Sequence, residues 1–156
     1  MRIGMIGAGA IGSVFGADLY ASWPDDFFVI AAGARAERIA REGLVVNGEI
    51  YPARVEQPAH GVKPAEIIFV CVKNYGLDSA IADMAPFVGV NTVIVPLLNG
   101  ISATPKLRAA FPQAKVLFGI AMGIDARRIG HAVDFTTRGI LQYGWEQNAE
   151  PYRPEV

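Results

Sequence analysis

Residues 7–12 read Gly7-Ala8-Gly9-Ala10-Ile11-Gly12, a G-x-G-x-x-G pattern, and follow the short apolar run Arg2–Ile6 directly. A chain that leaves a buried strand through such a loop and enters a helix has few folds open to it. Gly7 permits the tight turn, Gly9 has no side chain to hold a pyrophosphate off the backbone, and Gly12 lets the helix pack close to the strand. The helix start adds unpaired N–H groups and a partial positive charge. No acidic side chain follows until Asp18. With 17 glycines in 156 residues, composition alone gives about 0.2 such matches by chance. The pattern therefore draws its weight from its place at the first strand-to-helix turn. That place makes dinucleotide binding the expectation, against a glycine-rich turn that serves packing only.

The rest of the chain alternates strands and helices. Ile11, Val14, Phe15 and Leu19 recur at helical spacing from Ala10 to about Ser22. Trp23-Pro24-Asp25-Asp26 is a turn, and Phe27–Ala31 a second buried strand. Ala34–Glu42 reads as a charged surface helix capped by Gly43. Asn47-Gly48 between Leu44-Val45-Val46 and Ile50-Tyr51 signals a hairpin. Ile67–Val72 and Thr92–Leu98 are core strands, with a helix over Leu77–Ala85 stopped by Pro86. Thr104-Pro105 places a cap before a first-turn proline of the next helix. Lys115–Met122 reads as one more strand, and His131–Phe135 with Gly139–Tyr143 as a closing antiparallel pair. Such alternation predicts a Rossmann-type doubly wound α/β fold with a mainly parallel sheet and an antiparallel closing pair near the C-terminus. Residues 1–144 form the expected dinucleotide-binding domain. From 145 to 156 the composition shifts to Glu and Pro, as in a linker or frayed tail.

Composition excludes several classes. The chain is 52% hydrophobic and 19% charged, enough apolar material for a core and too much for disorder. A formal charge of −1 without basic runs argues against nucleic acid and anionic membranes as partners. The longest apolar runs are about six residues, short of the ~20 that span a bilayer. Met1 leads straight into a strand with no signal-peptide pattern, so the expected setting is the cytoplasm. The single Cys71 cannot form an internal disulfide and reads as a small packing hydrophobe. His60 and His131 are isolated, and no metal pattern is present. There is no P-loop and no G-x-S-x-G elbow.

Three polar residues stand where a dinucleotide site needs them. NAD-selective domains place a carboxylate about 20 residues past the loop, to bind the ribose 2′-OH. Here the second strand ends Ala31-Ala32-Gly33-Ala34-Arg35, with Arg38 following. A guanidinium grips a 2′-phosphate where a carboxylate repels it, so Arg35 points to NADP(H), against a solvated helix face. Lys73 follows Ile67–Val72 and Asn99 follows Val93–Leu98, which places both on the carboxyl rim beside the glycine loop. Lys73 can reach a phosphate, ribose or substrate carbonyl, or simply snorkel. Asn99-Gly100 can equally be a plain turn. Reduction of a carbonyl needs a proton donor, and Lys73 is the only candidate here.

Taken together, MRIGMIGAGAIGSVFGA, GARAERIAREGL-VVNG, VCVKNYGLD around Lys73 and LLNGI around Asn99 resemble ketopantoate reductase (2-dehydropantoate 2-reductase) over essentially the whole chain. The resemblance implies reduction of ketopantoate to pantoate with NADPH, on the route to pantothenate and coenzyme A. It implies that Gly7 to Gly12 hold the pyrophosphate, and that Lys73 and Asn99 contact cofactor, Asn99 reaching substrate as well. Many members place an arginine where this chain has Ala32. Members also carry a second, helical domain with the catalytic lysine and an acidic partner, whereas this chain stops at Val156. The expectation is little turnover by this chain alone, a 2-oxo acid as substrate of the full-length enzyme, and self-association through surface the second domain would cover. Two other readings stand beside it. One is the cofactor domain of a different 2-oxo or 3-hydroxy acid dehydrogenase. The other is a stand-alone nucleotide-sensing module.

Overall fold

The computed structural model describes residues 1–99 and 102–145. The chain opens with β1 (Ile3–Ile6), α1 (Ala10–Ser22), β2 (Phe27–Ile30) and α2 (Gly33–Glu42). β1 and β2 are buried along their whole length, as strands covered on both faces must be. β3 (Leu44–Val46) and β4 (Glu49–Tyr51) form the expected hairpin, with Asn47 at φ 50° and Gly48 at φ 79°. Two left-handed residues in a row suit the right-handed twist of the flanking strands. There follow β5 (Arg54–Glu56), β6 (Ala65–Val70), a 3-10 turn at Asn74–Gly76, α3 (Leu77–Met84), β7 (Val88–Pro96) and α4 (Ala103–Ala110). The last third holds β8 (Lys115–Val116), β9 (Phe118–Met122), β10 (Arg127–Ile129), β11 (Ala132–Asp134) and β12 (Ile140–Gly144).

The main sheet has six strands in the order β5-β2-β1-β6-β7-β8, and every pairing is parallel. Counted along this sheet alone, that is the 3-2-1-4-5-6 order of a doubly wound fold. The order reverses between β1 and β6, so their carboxyl ends frame the crevice where such folds take ligands. Alternate residues of β2 feed opposite cores. Phe28 and Ile30 pack with Ile68, Met84, Phe87 and Leu107 on one face; Phe27 and Val29 pack with Met5, Ile39 and Leu44 on the other. Arg2 ties β1 to the edge strand β5 through a two-pronged bond to Glu56 at 3.1 and 2.8 Å.

Several expectations on strands and caps are corrected. His131–Phe135 and Gly139–Tyr143 do not pair with each other. β11 pairs antiparallel with β10 through a two-residue turn at Gly130-His131, and β12 pairs antiparallel with β9. Gly130 has φ 61°, which closes that tight turn where a side chain would strain it. The expected strand Lys115–Met122 breaks at Leu117: β8 stays in the main sheet while β9 leaves it for a two-stranded ribbon. Thr104 is not the helix cap. α4 starts two residues earlier, at Ala103 with Ser102 as its cap, and the Thr104 hydroxyl donates to the Leu117 carbonyl at 3.4 Å instead. The strand expected over Ile67–Val72 ends at Val70, so Lys73 stands beyond two further residues and begins the 3-10 turn. No helix among the described residues is long and apolar enough to cross a membrane. The expected tail lies outside the described residues from 146 onward, as does Gly100 of the Asn99-Gly100 turn.

Candidate functional site

The glycine loop joins β1 to α1 at the switch point, and its three glycines are held for two different reasons. Gly7 has φ +101°, and a Cβ there would lie 2.6 Å from the Cys71 carbonyl carbon. A Cβ on Gly12 would lie 2.1 Å from the Gly7 oxygen. Both positions are closed by packing against the chain itself. A Cβ on Gly9 would meet nothing within 4 Å. Packing therefore explains Gly7 and Gly12 and leaves Gly9 unexplained, while a phosphate set against the bare backbone explains it. Gly9 is also the N-cap of α1, with no side-chain cap bond and no acidic residue in the first turn. The first N–H groups of α1 thus stay available to an anion. The residues present fit a dinucleotide.

This loop floors a cleft of about 680 Å³ whose lining includes Gly7, Ala8, Gly9, Ala10, Arg35 and Lys73. A smaller cleft of about 320 Å³ opens on the other side, lined by Gly9, Ala10, Ile11, Lys73 and Asn99 among others. The two share Gly9, Ala10, Cys71, Val72 and Lys73. Gly12 packs behind the loop rather than facing either. The expected residues are therefore brought onto one band, with Arg35 at one end, Asn99 at the other and Lys73 between. Lys73 is exposed, and among the described residues it is the only lysine lining either cleft. Asn74 Nδ2 donates to the Asn99 carbonyl at 3.2 Å, which ties the turn after β6 to the segment after β7. Cys71 packs beside Phe69 on one face of the sheet, where the clusters around Met5 and Leu97 meet, and burial pushes its thiol up to about 12. It is a neutral packing group there, as its place in an apolar run suggested. Among the described residues no three His, Cys, Asp or Glu gather where they could hold a metal.

Sequence reasoning missed one wall of the larger cleft. Asp125, Arg127 and Arg128 line it together with Arg35. They are brought there because β11 runs parallel to β3, with Ala132 opposite Val45 and Val133 opposite Val46. The Asp125 carboxylate is already engaged: it accepts the backbone N–H groups of Thr136 and Thr137, each at 2.9 Å, and the Thr136 hydroxyl. These bonds, the Thr136 hydroxyl first, hold it below the usual carboxylate range. Arg38, half-buried on α2, sits below the ordinary arginine range. Burial is the main cause, and the nearby Arg128, Arg35 and Arg41 guanidiniums add to it while Glu42 opposes. The doublet Arg127-Arg128 was the available signal, but nothing local tied it to the glycine loop.

The sequence profile of ketopantoate reductase PanE/ApbA matches residues 3–147. A 2-dehydropantoate 2-reductase of Pyrococcus horikoshii is 32% identical over 148 residues, covering 92% of this chain and 47% of that protein. The crystal structure of 2-dehydropantoate 2-reductase from Porphyromonas gingivalis W83 superposes with a TM-score of 0.74 at 28% identity, covering 99% of this chain and 57% of that one. A D-mandelate dehydrogenase, solved in a ternary structure with NADH and anilino(oxo)acetate, superposes with a TM-score of 0.76 at 25% identity, covering 92% of this chain and 47% of that one. The matched stretch spans less than half the length of the curated relatives.

Proposed function

Since this chain belongs to the ketopantoate reductase PanE/ApbA family, we propose that residues 1–144 are the dinucleotide-binding unit of a cytoplasmic NADP(H)-dependent 2-dehydropantoate 2-reductase. The observation that carries this reading is the open space over Gly9, set beside two glycines closed by packing. Gly7 to Ile11 line the pyrophosphate stretch, with Gly12 packed beneath it. Arg35 receives the 2′-phosphate end. Lys73 lies alongside the middle, where its Nζ can hold a proton near the reacting carbonyl. Asn99 closes the nicotinamide end and offers its amide to a 2-oxo acid. When bound, the nicotinamide supplies the hydride for reduction. Residues 1–144 by themselves are expected to bind cofactor and turn over little. Self-association is expected through the β9–β12 ribbon, where Ile120, Met122 and Ile140 share one exposed face.

Parallel calorimetric titration with NADPH and NADH tests the reading. Tight NADPH binding with much weaker NADH binding supports it. Binding of neither by a folded chain overturns it. Equal binding favours a second reading, the cofactor unit of a different 2-oxo acid dehydrogenase. That alternative draws on the likeness to the D-mandelate dehydrogenase solved with NADH and on the uncharged Ala32 at the tip of β2.

A further inference from the structure

The arginine end of the larger cleft is built from two pieces of chain that lie far apart in sequence. α2 brings Arg35 to the lining, with Arg38 one turn further along the helix, and β10 brings Arg127 and Arg128. Arg128 stands opposite Val133, which is 1% exposed and packs with Val14 and Val46. Residues paired across a ladder share a face, so Arg128 leaves its strand on the same side as Val133; it lines the cleft with Arg35, and its charge is felt at Arg38. Its Nε donates to the Gly130 carbonyl at 2.9 Å, which fixes the guanidinium plane and leaves its terminal nitrogens uncommitted among the described residues. None of Arg35, Arg38 and Arg128 is ion-paired among the described residues. Glu42 on α2, whose charge opposes the other guanidiniums at Arg38, is itself ion-paired with Arg41 at 2.7 Å. Like charges brought together without a counterion repel one another, and more so where water is partly excluded. An incoming anion removes that repulsion.

Resting on the dinucleotide reading above, we propose that Arg128 and Arg35 grip the phosphomonoester of a 2′-phosphorylated dinucleotide from two sides, with Arg38 adding charge behind them. Such a group offers three acceptor oxygens, and two guanidinium forks approaching from different elements can each take a pair of bonds. Ala32 contributes no charge at the strand tip, and β10 supplies the second guanidinium in its place. The choice between phosphorylated and unphosphorylated cofactor then depends on a strand some ninety residues from α2, and the entropy of closing so long a loop grows only slowly with its length.

The test is calorimetric titration of this chain and its variants with 2′,5′-ADP and with 5′-ADP. Arg128→Ala and Arg35→Ala should each weaken 2′,5′-ADP about tenfold or more, the effect of a charge-assisted bond, and leave 5′-ADP within about twofold. Arg128→Lys should keep the charge, lose the fork and fall between. Retained 5′-ADP binding shows that each variant is folded. If Arg128→Ala binds 2′,5′-ADP like the wild type, or weakens both probes alike, the inference is overturned while the dinucleotide reading stands. It is also overturned if the wild type binds 5′-AMP, which lacks only the 2′-phosphate, as tightly as 2′,5′-ADP. If the wild type binds neither probe, the dinucleotide reading falls and this inference with it.

Discussion

The two ends of the larger cleft are made of different material. One end is backbone: Gly7, Gly9 and the uncapped start of α1. The other is side chain: Arg35 from α2 and Arg128 from β10. A backbone surface is fixed by the path of the chain and presents the same N–H groups whatever the neighbours are. A side-chain surface depends on which elements happen to meet. The backbone end suits what all dinucleotides share, and the side-chain end suits what distinguishes them.

Four experiments break or sharpen this contrast. The largest effect is expected at Gly12, where a Cβ would lie 2.1 Å from the Gly7 oxygen. Gly12→Val should lose nucleotide binding and about 1–3 kcal/mol of stability, read as a lower thermal midpoint. A variant that melts and binds like the wild type would show that the backbone end is not set by packing. Next is Gly9→Ala. Its φ of −90° suits any residue, and no atom lies within 4 Å of the added carbon. Stability should stay within about 0.5 kcal/mol while NADPH and NADH both weaken about tenfold. Unchanged affinity there would remove the main support for the phosphate site. Lys73→Ala should weaken both nucleotides by a similar, smaller factor, since Lys73 lies on the stretch the two clefts share. A loss confined to NADPH would move Lys73 to the discriminating end.

The smallest effect concerns pH. Burial raises the Cys71 thiol from 9.0 to about 12. The unfolded chain therefore ionises it first. Its contribution is fully present below pH 9.0 and is lost progressively as pH rises toward about 12. Denaturant titrations across that window should show a shallower fall for Cys71→Ala than for the wild type. Identical slopes would mean that the thiol is more open to water than its packing indicates.

The sequence made one end of the cleft far easier to read than the other. Gly7, Gly9 and Gly12 act within a single turn, so their spacing carries the geometry with it. Asn47-Gly48 is legible for the same reason, because a two-residue hairpin closes on itself. Arg35 follows directly from the end of β2. Arg128 has no such local anchor. Its position depends on β11 finding β3, and the register Ala132↔Val45 and Val133↔Val46 leaves no mark on either segment. β12 poses the same difficulty. Nearness in sequence favoured His131–Phe135, whereas the partner is β9. The break at Leu117 was hidden too, since β8 and β9 form one apolar run whose halves serve different sheets. Helix caps fail on a finer scale: Thr104 and Ser102 are both good caps, and the Leu117 carbonyl draws the Thr104 hydroxyl away.

The β11–β3 ladder also has a consequence in time. It joins strands about ninety residues apart, and a contact that closes so long a loop gains nothing until the intervening chain is in place. The glycine loop needs only its neighbours in β1, α1 and the segment after β6. During refolding, affinity for the part common to both nucleotides should therefore emerge before the ability to tell them apart. In the native protein the order reverses. Amide hydrogens of Val45, Val46 and Val133 should exchange sooner than those of β1 and β6, so discrimination is lost to local opening before binding is.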